Sequence, residues 1–405
     1  MAVSLLTATM LMAQKKEIAE AQTYLKSGKN LDKAEKLMTN LLKKESNRGN
    51  IKIYQTWYQS VAAQYEAANT KLYLRQKYDT AQFFGLIQHL FEVAEVLDSV
   101  DALPNKKGRV RPDYRKRNAE RLAPLRVNLY YGGTYQMHRN NYDKAFGFFD
   151  TYLNTARKPL FADYAFLQKD SLMPEVAYWA STCGYRMQRP DSVLRYKDLA
   201  LKDTARQEVM LQYVCEAYRW QQNDSAYVAT LRQGFEEYPE HPYFFPRLAD
   251  WLNTQGKPQE VLELSESGLK ENKDNQLFLL ARSAALLNLE RYDECLETSE
   301  RLIALNDTMP EAYLNIATVR LNQALTIEAE NEPRKNHARL QELYRQARPY
   351  MEAYRKLAPK DEQRWAPGLY RIYLNLNMGK QFDEMDRIMR KWKNGKIKKL
   401  KNYRL

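Results

Sequence analysis

Histidines, cysteines and carboxylates next to hydroxyls are the residues of this chain that could do chemistry, and their spacing limits what they can do. The four histidines, His89, His138, His241 and His337, are scattered, with no pair four residues apart and no HExxH motif. They therefore supply neither a metal-ligand pair nor a linked acid and base. Cys183, Cys215 and Cys295 are far apart in the chain, have no metal-ligand spacing, and being odd in number allow at most one disulfide. Buried free thiols are expected at Cys215 and Cys295. No GxxxxGK[ST], strand-linked GxGxxG or GxSxG is present, and Gly132–Gly133 is an isolated doublet. The expectation is a protein that is not an enzyme and that holds no cofactor and no metal.

Charge and hydroxyl patterns remain. The net charge of +13 is concentrated in two runs, residues 106–121 with eight Lys/Arg against two acids, and residues 390–405 with eight and none. Solvated segments are the plain reading; an acidic partner for the C-terminal run is the functional one. A second pattern is Asp followed by Ser or Thr and then an apolar residue. It places hydroxyls at Thr80, Ser99, Ser171, Ser192, Thr204, Ser225 and Thr308. These tripeptides resemble the acceptor of a periplasmic O-glycosylation system found in one bacterial phylum. The competing explanation is the preference of Asp, Ser and Thr for helix starts.

The elements that must carry these residues are helices. Only 14 Gly and 15 Pro punctuate 405 residues, too many for one compact core, so a helical repeat stack is expected. Three blocks, residues 208–241, 242–275 and 276–309, hold a 34-residue period without a gap. That is the length of a helix, a turn and a second helix. Block position 4 reads Leu211, Phe245, Leu279; position 8 reads Cys215, Ala249, Ser283; position 20 reads Tyr227, Val261, Cys295; position 28 reads Phe235, Leu269, Ile303. Small residues at 8 and 20 let paired helices approach, while large ones fill the space between neighbouring hairpins. The pattern resembles the tetratricopeptide repeat (TPR).

Weaker matches extend it in both directions, with Tyr142, Ala145 and Phe149 following Gly133, and Ala34, Met38 and Leu42 near the start. Roughly nine hairpins result. The resemblance implies an all-α fold of hairpins stacked into a right-handed α-solenoid superhelix, with a concave face lined by positions 2, 5, 9, 12 and 13. Partner-binding residues implied there are Gln212, Glu216, Arg219, Tyr243, Asp250, Asn253, Asn288, Thr318 and Asn322. The Lys and Asn with which chaperone-binding members clamp a terminal carboxylate are missing from positions 5 and 9.

Residues 1–13 are an uncharged apolar run ending at Ala13, the length and ending of a secretory signal peptide, and too short to span a bilayer. The expected layout is then a signal peptide at 1–13 and divergent repeats at 14–157 with a basic loop at 101–116. A TPR-like array follows at 173–392, regular over 208–309 with an insertion at 328–338, and a basic tail at 393–405 closes the chain. The function expected is a scaffold binding a protein or extended peptide, exported to a bacterial periplasm or cell envelope, with no transmembrane segment and no nucleic acid. Its alternatives are a cytoplasmic location and an anionic-ligand binder (nucleic acid, acidic glycan or lipid headgroup) using the basic runs 106–121 and 390–405.

Overall fold

The structure is a computed structural model. It describes the backbone of residues 2–104, 107–330 and 333–402, and the side chains of 14–104, 107–330 and 335–392. The side chains of the expected signal peptide and of the expected tail from residue 393 onward lie outside these, as do residues 331–334 of the expected insertion. All regular structure among the described residues is helical, and the chain divides into two compact units, Met1–Thr230 and Leu231–Leu405.

Unit 1 opens with the hairpin α1 (Ala2–Ser27) and α2 (Leu31–Leu42), followed by α3 (Ile51–Tyr73) and α4 (Thr80–Asp101). This second pair is 23 and 22 residues long. At that length the pair exceeds a 34-residue repeat. Its seam is aromatic, with Tyr54, Tyr58, Tyr65, Phe83 and Phe91 buried. After a loop come α5 (Arg115–Leu122) and the hairpin α6 (Val127–His138) and α7 (Tyr142–Thr155). Gly132 and Gly133 are explained here by packing. A Cβ on Gly132 would lie 2.8 Å from the Phe148 ring, and one on Gly133 would strike Phe149.

A short α8 (Phe166–Lys169) then leads to α9 (Met173–Arg186), paired with α10 (Pro190–Leu194) and α11 (Lys197–Ala200). Gly184 lets this turn close, because a Cβ there would sit 2.6 Å from the backbone nitrogen of Val193. Pro174 and Pro190 occupy first turns, where the missing N–H costs nothing. Unit 1 ends with α12 (Gln207–Trp220) and the start of α13 (Asp224–Glu237), within which the division falls.

Unit 2 continues with four hairpins, α14 (Phe244–Thr254) with α15 (Pro258–Glu271), α16 (Gln276–Asn288) with α17 (Tyr292–Leu305), α18 (Pro310–Ala329) with α19 (Pro333–Leu357), and α20 (Glu362–Asn375) with α21 (Gly379–Asn402). Every named position-4 and position-8 residue of the three regular blocks is buried. So are Val261 and Cys295 at position 20, while Tyr227 is half-buried. Gly256 turns α14 into α15 at φ +67, a conformation that costs glycine little.

Position 27, which the sequence reading does not use, sets the spacing between hairpins. Gly234 and Gly268, one repeat apart, each face a phenylalanine one repeat apart, Phe244 and Phe278. In the next block the sizes are exchanged, and Leu302 meets Ala312. The summed volume at the seam stays similar while the residues that supply it change places.

The extra residues near 328–338 are taken up largely by longer helices, α18 with 20 residues and α19 with 25. Likewise the backbone of the basic tail continues α21 to Asn402. Lysine, arginine and leucine are good helix formers, and cations near a helix C-terminus interact favourably with its dipole.

Candidate functional site

Three first helices of successive repeats in unit 1, α6, α9 and α12, carry aromatic residues where the repeat would present a ligand. Tyr178 lies one 34-residue period before Gln212, Thr182 before Glu216 and Arg186 before Trp220. Tyr130, Thr134 and His138 hold the matching places on α6, counted from Gly133 at position 8. Of these, the six on α6 and α9 line a cavity of about 460 Å³, together with Met137, Tyr142, Trp179 and, from α12, Tyr213.

The rings are fixed by each other. Tyr213 stacks on Tyr185 at 4.2 Å between centroids and on Tyr178 at 6.2 Å, and Tyr185 stacks in turn on Trp220 at 5.5 Å. Glu175 anchors two of the lining side chains, accepting from the Tyr130 hydroxyl at 2.8 Å and from the Trp179 indole N–H at 3.2 Å on one oxygen. Burial opposes the charge of Glu175, but these two hydrogen bonds and nearby Arg206 outweigh it and hold its pKa below the usual carboxylate range. Burial first, and then the bond to Glu175, push the Tyr130 phenol up to about 12. Arg206 closes the set by lying over Trp179 and Tyr178 at 5.5 and 5.6 Å while bonding Asp203 at 2.6 Å.

The result is a preorganised surface of aromatic faces and edges. No carboxylate lines the cavity, and Arg186 is exposed on its wall. Such a surface can bury apolar or planar groups of a partner at little entropic cost, because its own side chains are already ordered. Among the described residues no group of three His, Cys, Asp or Glu side chains could hold a metal ion.

The residues implied at the concave face divide between the units. Gln212, Glu216 and Arg219 belong to unit 1 and the other six to unit 2. Glu216 departs from the expectation of an open contact residue. It is buried and accepts two hydrogen bonds from Arg219, at 2.9 and 2.5 Å, a local i,i+3 pair that covers its carboxylate. Arg219, Asp250, Asn253 and Asn288 are exposed, while Gln212, Tyr243, Thr318 and Asn322 are half-buried. Tyr243 has the Arg247 guanidinium 3.8 Å over its ring.

The hydroxyls of the Asp-Ser/Thr tripeptides are mostly accessible. Ser99, Ser171, Thr204, Ser225 and Thr308 are exposed, with Thr80 and Ser192 half-buried. Helix capping accounts for Asp79, whose side chain accepts from the amides of Ala81 and Gln82. It does not account for Asp98, which lies near the end of α4, buried and paired with Arg115 at 2.7 Å. That pair and the Arg121–Glu66 pair at 2.9 Å also engage two cations of the 106–121 run.

The cysteines Cys183, Cys215 and Cys295 are free and buried. Burial raises the Cys183 thiol to about 12, which makes it a packing residue and not a nucleophile.

No family model matches the chain, and no curated protein matches it in sequence. Several solved structures are similar to it at low identity. The C-terminal part of a TPR repeat-containing protein from Cytophaga hutchinsonii is 13% identical, covering 63% of this chain and 92% of its own, with a TM-score of 0.42. A TPR repeats protein from Bacteroides fragilis is 14% identical over 65% of this chain and 98% of its own, with a TM-score of 0.31. For the TPR domain of P58(IPK) the identity is 15%, the coverage 91% and 99%, and the TM-score 0.28. The hairpins of this chain are TPR-like. That statement rests on their own packing, with small residues inside each pair and large ones between pairs. The fold is all-α, and among the described residues no helix is long and apolar enough to cross a membrane.

Proposed function

We propose that the protein is a non-enzymatic scaffold that binds a protein partner or extended peptide on the first-helix faces of its repeats. The observation that carries this reading is the ordered aromatic cavity on α6, α9 and α12, in which Tyr130, Thr134, His138, Tyr178, Thr182 and Arg186 hold positions that the TPR resemblance assigns to ligand contact, with Trp179 and Tyr213 beside them at position 6. Aromatic anchors in preformed pockets dominate binding energy at interfaces. The exposed Asp250, Asn253 and Asn288 of unit 2 offer polar contacts at equivalent positions. Export belongs to the same proposal, supported by the apolar run ending at Ala13, and so does O-glycosylation, supported by five exposed hydroxyls in the tripeptides.

The test is affinity capture from native cell envelopes, followed by titration of each captured protein against variants. Trp179→Ala with Tyr213→Ala should weaken binding by about 2 kcal/mol or more, as for interface hot spots. Asp250→Ala with Asn253→Ala should weaken it by about 1–3 kcal/mol if both bond the partner, with stability changed by under about 0.5 kcal/mol. A partner indifferent to all four substitutions would remove the first-helix faces as the site. On the same native material, an N-terminus at Gln14 and a mass above that of the polypeptide would report export and glycosylation.

A further inference from the structure

The turn between α3 and α4 combines side chains that the scaffold does not need. From Lys71 to Tyr78 every residue is exposed. Within that stretch Tyr73 is 85% exposed and Leu74 55%, flanked by Leu72 and Tyr78 at 37% each. Three cations, Lys71, Arg75 and Lys77, alternate with them, and no acid occurs between Ala67 and Tyr78. The acids that bracket the stretch are engaged, Glu66 with Arg121 at 2.9 Å and Asp79 in capping α4.

Backbone bonds close the end of α3 at this turn. Leu74, Arg75 and Gln76 donate to the carbonyls of Thr70, Leu72 and Lys71 at 2.9, 3.0 and 2.9 Å, with Arg75 in the left-handed region at φ 54. At Leu74 to Gln76 the tip therefore offers a neighbour side chains and no open amides. Gly28 and Asn30 share a cavity wall with Lys71 and Tyr78, which sets the α1–α2 turn, with its exposed Lys26 and Lys29, beside it. Asp32 is the other acid on that wall besides Asp79.

We propose that this tip is a peripheral membrane anchor that inserts Leu72, Tyr73 and Leu74 into the interface of a bilayer bearing anionic lipid. Lys71, Arg75 and Lys77 would lie at headgroup level. Tyrosine prefers that boundary because one end of its ring is apolar and the other wet, and lysine and arginine extend their charges outward along apolar stems. A protruding tip of mixed aliphatic, aromatic and basic character suits a soft anionic surface, which needs no shaped pocket to receive it. This inference is independent of the aromatic cavity and its partner.

The experiment is co-sedimentation of the full chain with vesicles of phosphatidylcholine alone and of phosphatidylcholine with phosphatidylglycerol. Binding should require the anionic lipid and fall with added salt. Tyr73→Ser with Leu74→Ser, and separately Arg75→Gln with Lys77→Gln, should each weaken it by about tenfold or more. Unchanged melting of both variants checks their folding. Because the native cysteines are buried, Tyr73→Cys can carry an environment-sensitive nitrobenzoxadiazole label, whose emission should shift to the blue on binding. The proposal is overturned if the chain ignores both kinds of vesicle, if it binds them equally well in both double variants, or if it binds without a spectral shift. It is equally overturned if the variants lose a protein partner while vesicle binding is absent, which would make the tip a protein contact.

Discussion

Hairpins are joined differently in two stretches of this molecule. In unit 1, where residues 157–172 between α7 and α9 break the phase of the repeat, the joint is a buried arginine. Arg126 is 4% exposed, pairs with Asp170, donates to Thr155 Oγ1 at 2.7 Å and to the Tyr152 carbonyl at 3.1 Å, and lies between the Tyr152 and Phe166 rings at 3.6 and 4.1 Å. In unit 2, from Gly234 to Ala312, the joints are hydrocarbon of matched size, Gly against Phe twice and then Leu against Ala. A repeat in phase meets its neighbour with the same surface each time, so steric fit alone can set the spacing. A stretch that inserts residues cannot reuse that surface. There, directional hydrogen bonds to one planar guanidinium fix the geometry instead.

The sharpest break of this contrast is Arg126→Met. It removes the guanidinium but leaves the Asp170 carboxylate, half-buried and held charged by Arg126 and Tyr152 against the cost of burial. Breaking such a pair on one side costs about 3–5 kcal/mol, whereas replacing both partners with apolar groups is often near neutral. Urea unfolding followed by circular dichroism should therefore show a large loss for Arg126→Met and partial recovery in Arg126→Met with Asp170→Leu. A single-variant loss under about 1 kcal/mol would mean that packing between the Tyr152 and Phe166 rings, which Met can keep, and not the charge, holds the joint.

The apolar joints are tested by adding volume. A Cβ at Gly268 would lie 2.6 Å from the Phe278 ring, which cannot retreat because Phe245 packs on it at 4.7 Å and Phe235 at 6.0 Å. Overpacking of about 1–3 kcal/mol should exceed the about 1 kcal/mol that Ala gains over Gly in a helix. Gly268→Ala should thus destabilise unit 2, and adding Phe278→Leu should restore part of the loss. Stabilisation by the single change would show that the seam has slack.

What was legible in the sequence follows the same division. Position 8 could be read from Cys215, Ala249 and Ser283 because each block carries a small residue there. Position 27 could not, since Gly234 and Gly268 are answered by Leu302 in the third block, and only the exchange with Ala312 restores the logic. At block position 24, Ser265 and Ser299 are buried polar residues. Ser299 bonds Ser283 at 2.5 Å, and Ser283 in turn accepts from Asn315 at 2.9 Å. The serine pair forms within the α16–α17 hairpin and gains Asn315 only when α18 packs on it, whereas Ser265 bonds the Leu262 carbonyl of its own helix. Arg126 and Asp170 are 44 residues apart with no period to link them. At Glu216 the repeat position points outward, but the local pair with Arg219 decides. The aromatic cavity was within reach, because carrying the 34-residue offset back from Gln212 arrives at Tyr178.

The smallest expected effect separates the two kinds of joint by pH. In unit 1, His89 on α4 meets Glu35 on α2 at 2.6 Å and Glu92 at 3.4 Å, and Glu35 also accepts from Gln64 at 2.6 Å and from Trp57 at 3.3 Å. The bonds to Glu35 and then Glu92 outweigh burial and raise His89 from 6.5 to about 9. A raised folded-state pKa stabilises fully below the unfolded value, and the benefit disappears as pH rises through the folded one. For Glu35, burial opposes ionisation, but His89 and the neighbouring amide and indole lower its pKa from 4.5. Its contribution is present above that value and is lost as pH falls through the lowered one. The joint should be strongest between about pH 5 and 6.5. With the His89 side chain 35% exposed, screening by solvent reduces the effect to about 1 kcal/mol. Melting temperatures measured from pH 6 to 10 should show wild type above His89→Gln at the acid end and the two converging at the alkaline end. Over the same range the penalty of Gly268→Ala should stay constant, because no ionisable group faces that seam among its packed residues Phe235, Phe245 and Phe278. Parallel curves for wild type and His89→Gln would show that the imidazolium contributes nothing to the joint, and would leave Trp57 and Gln64 as what holds Glu35.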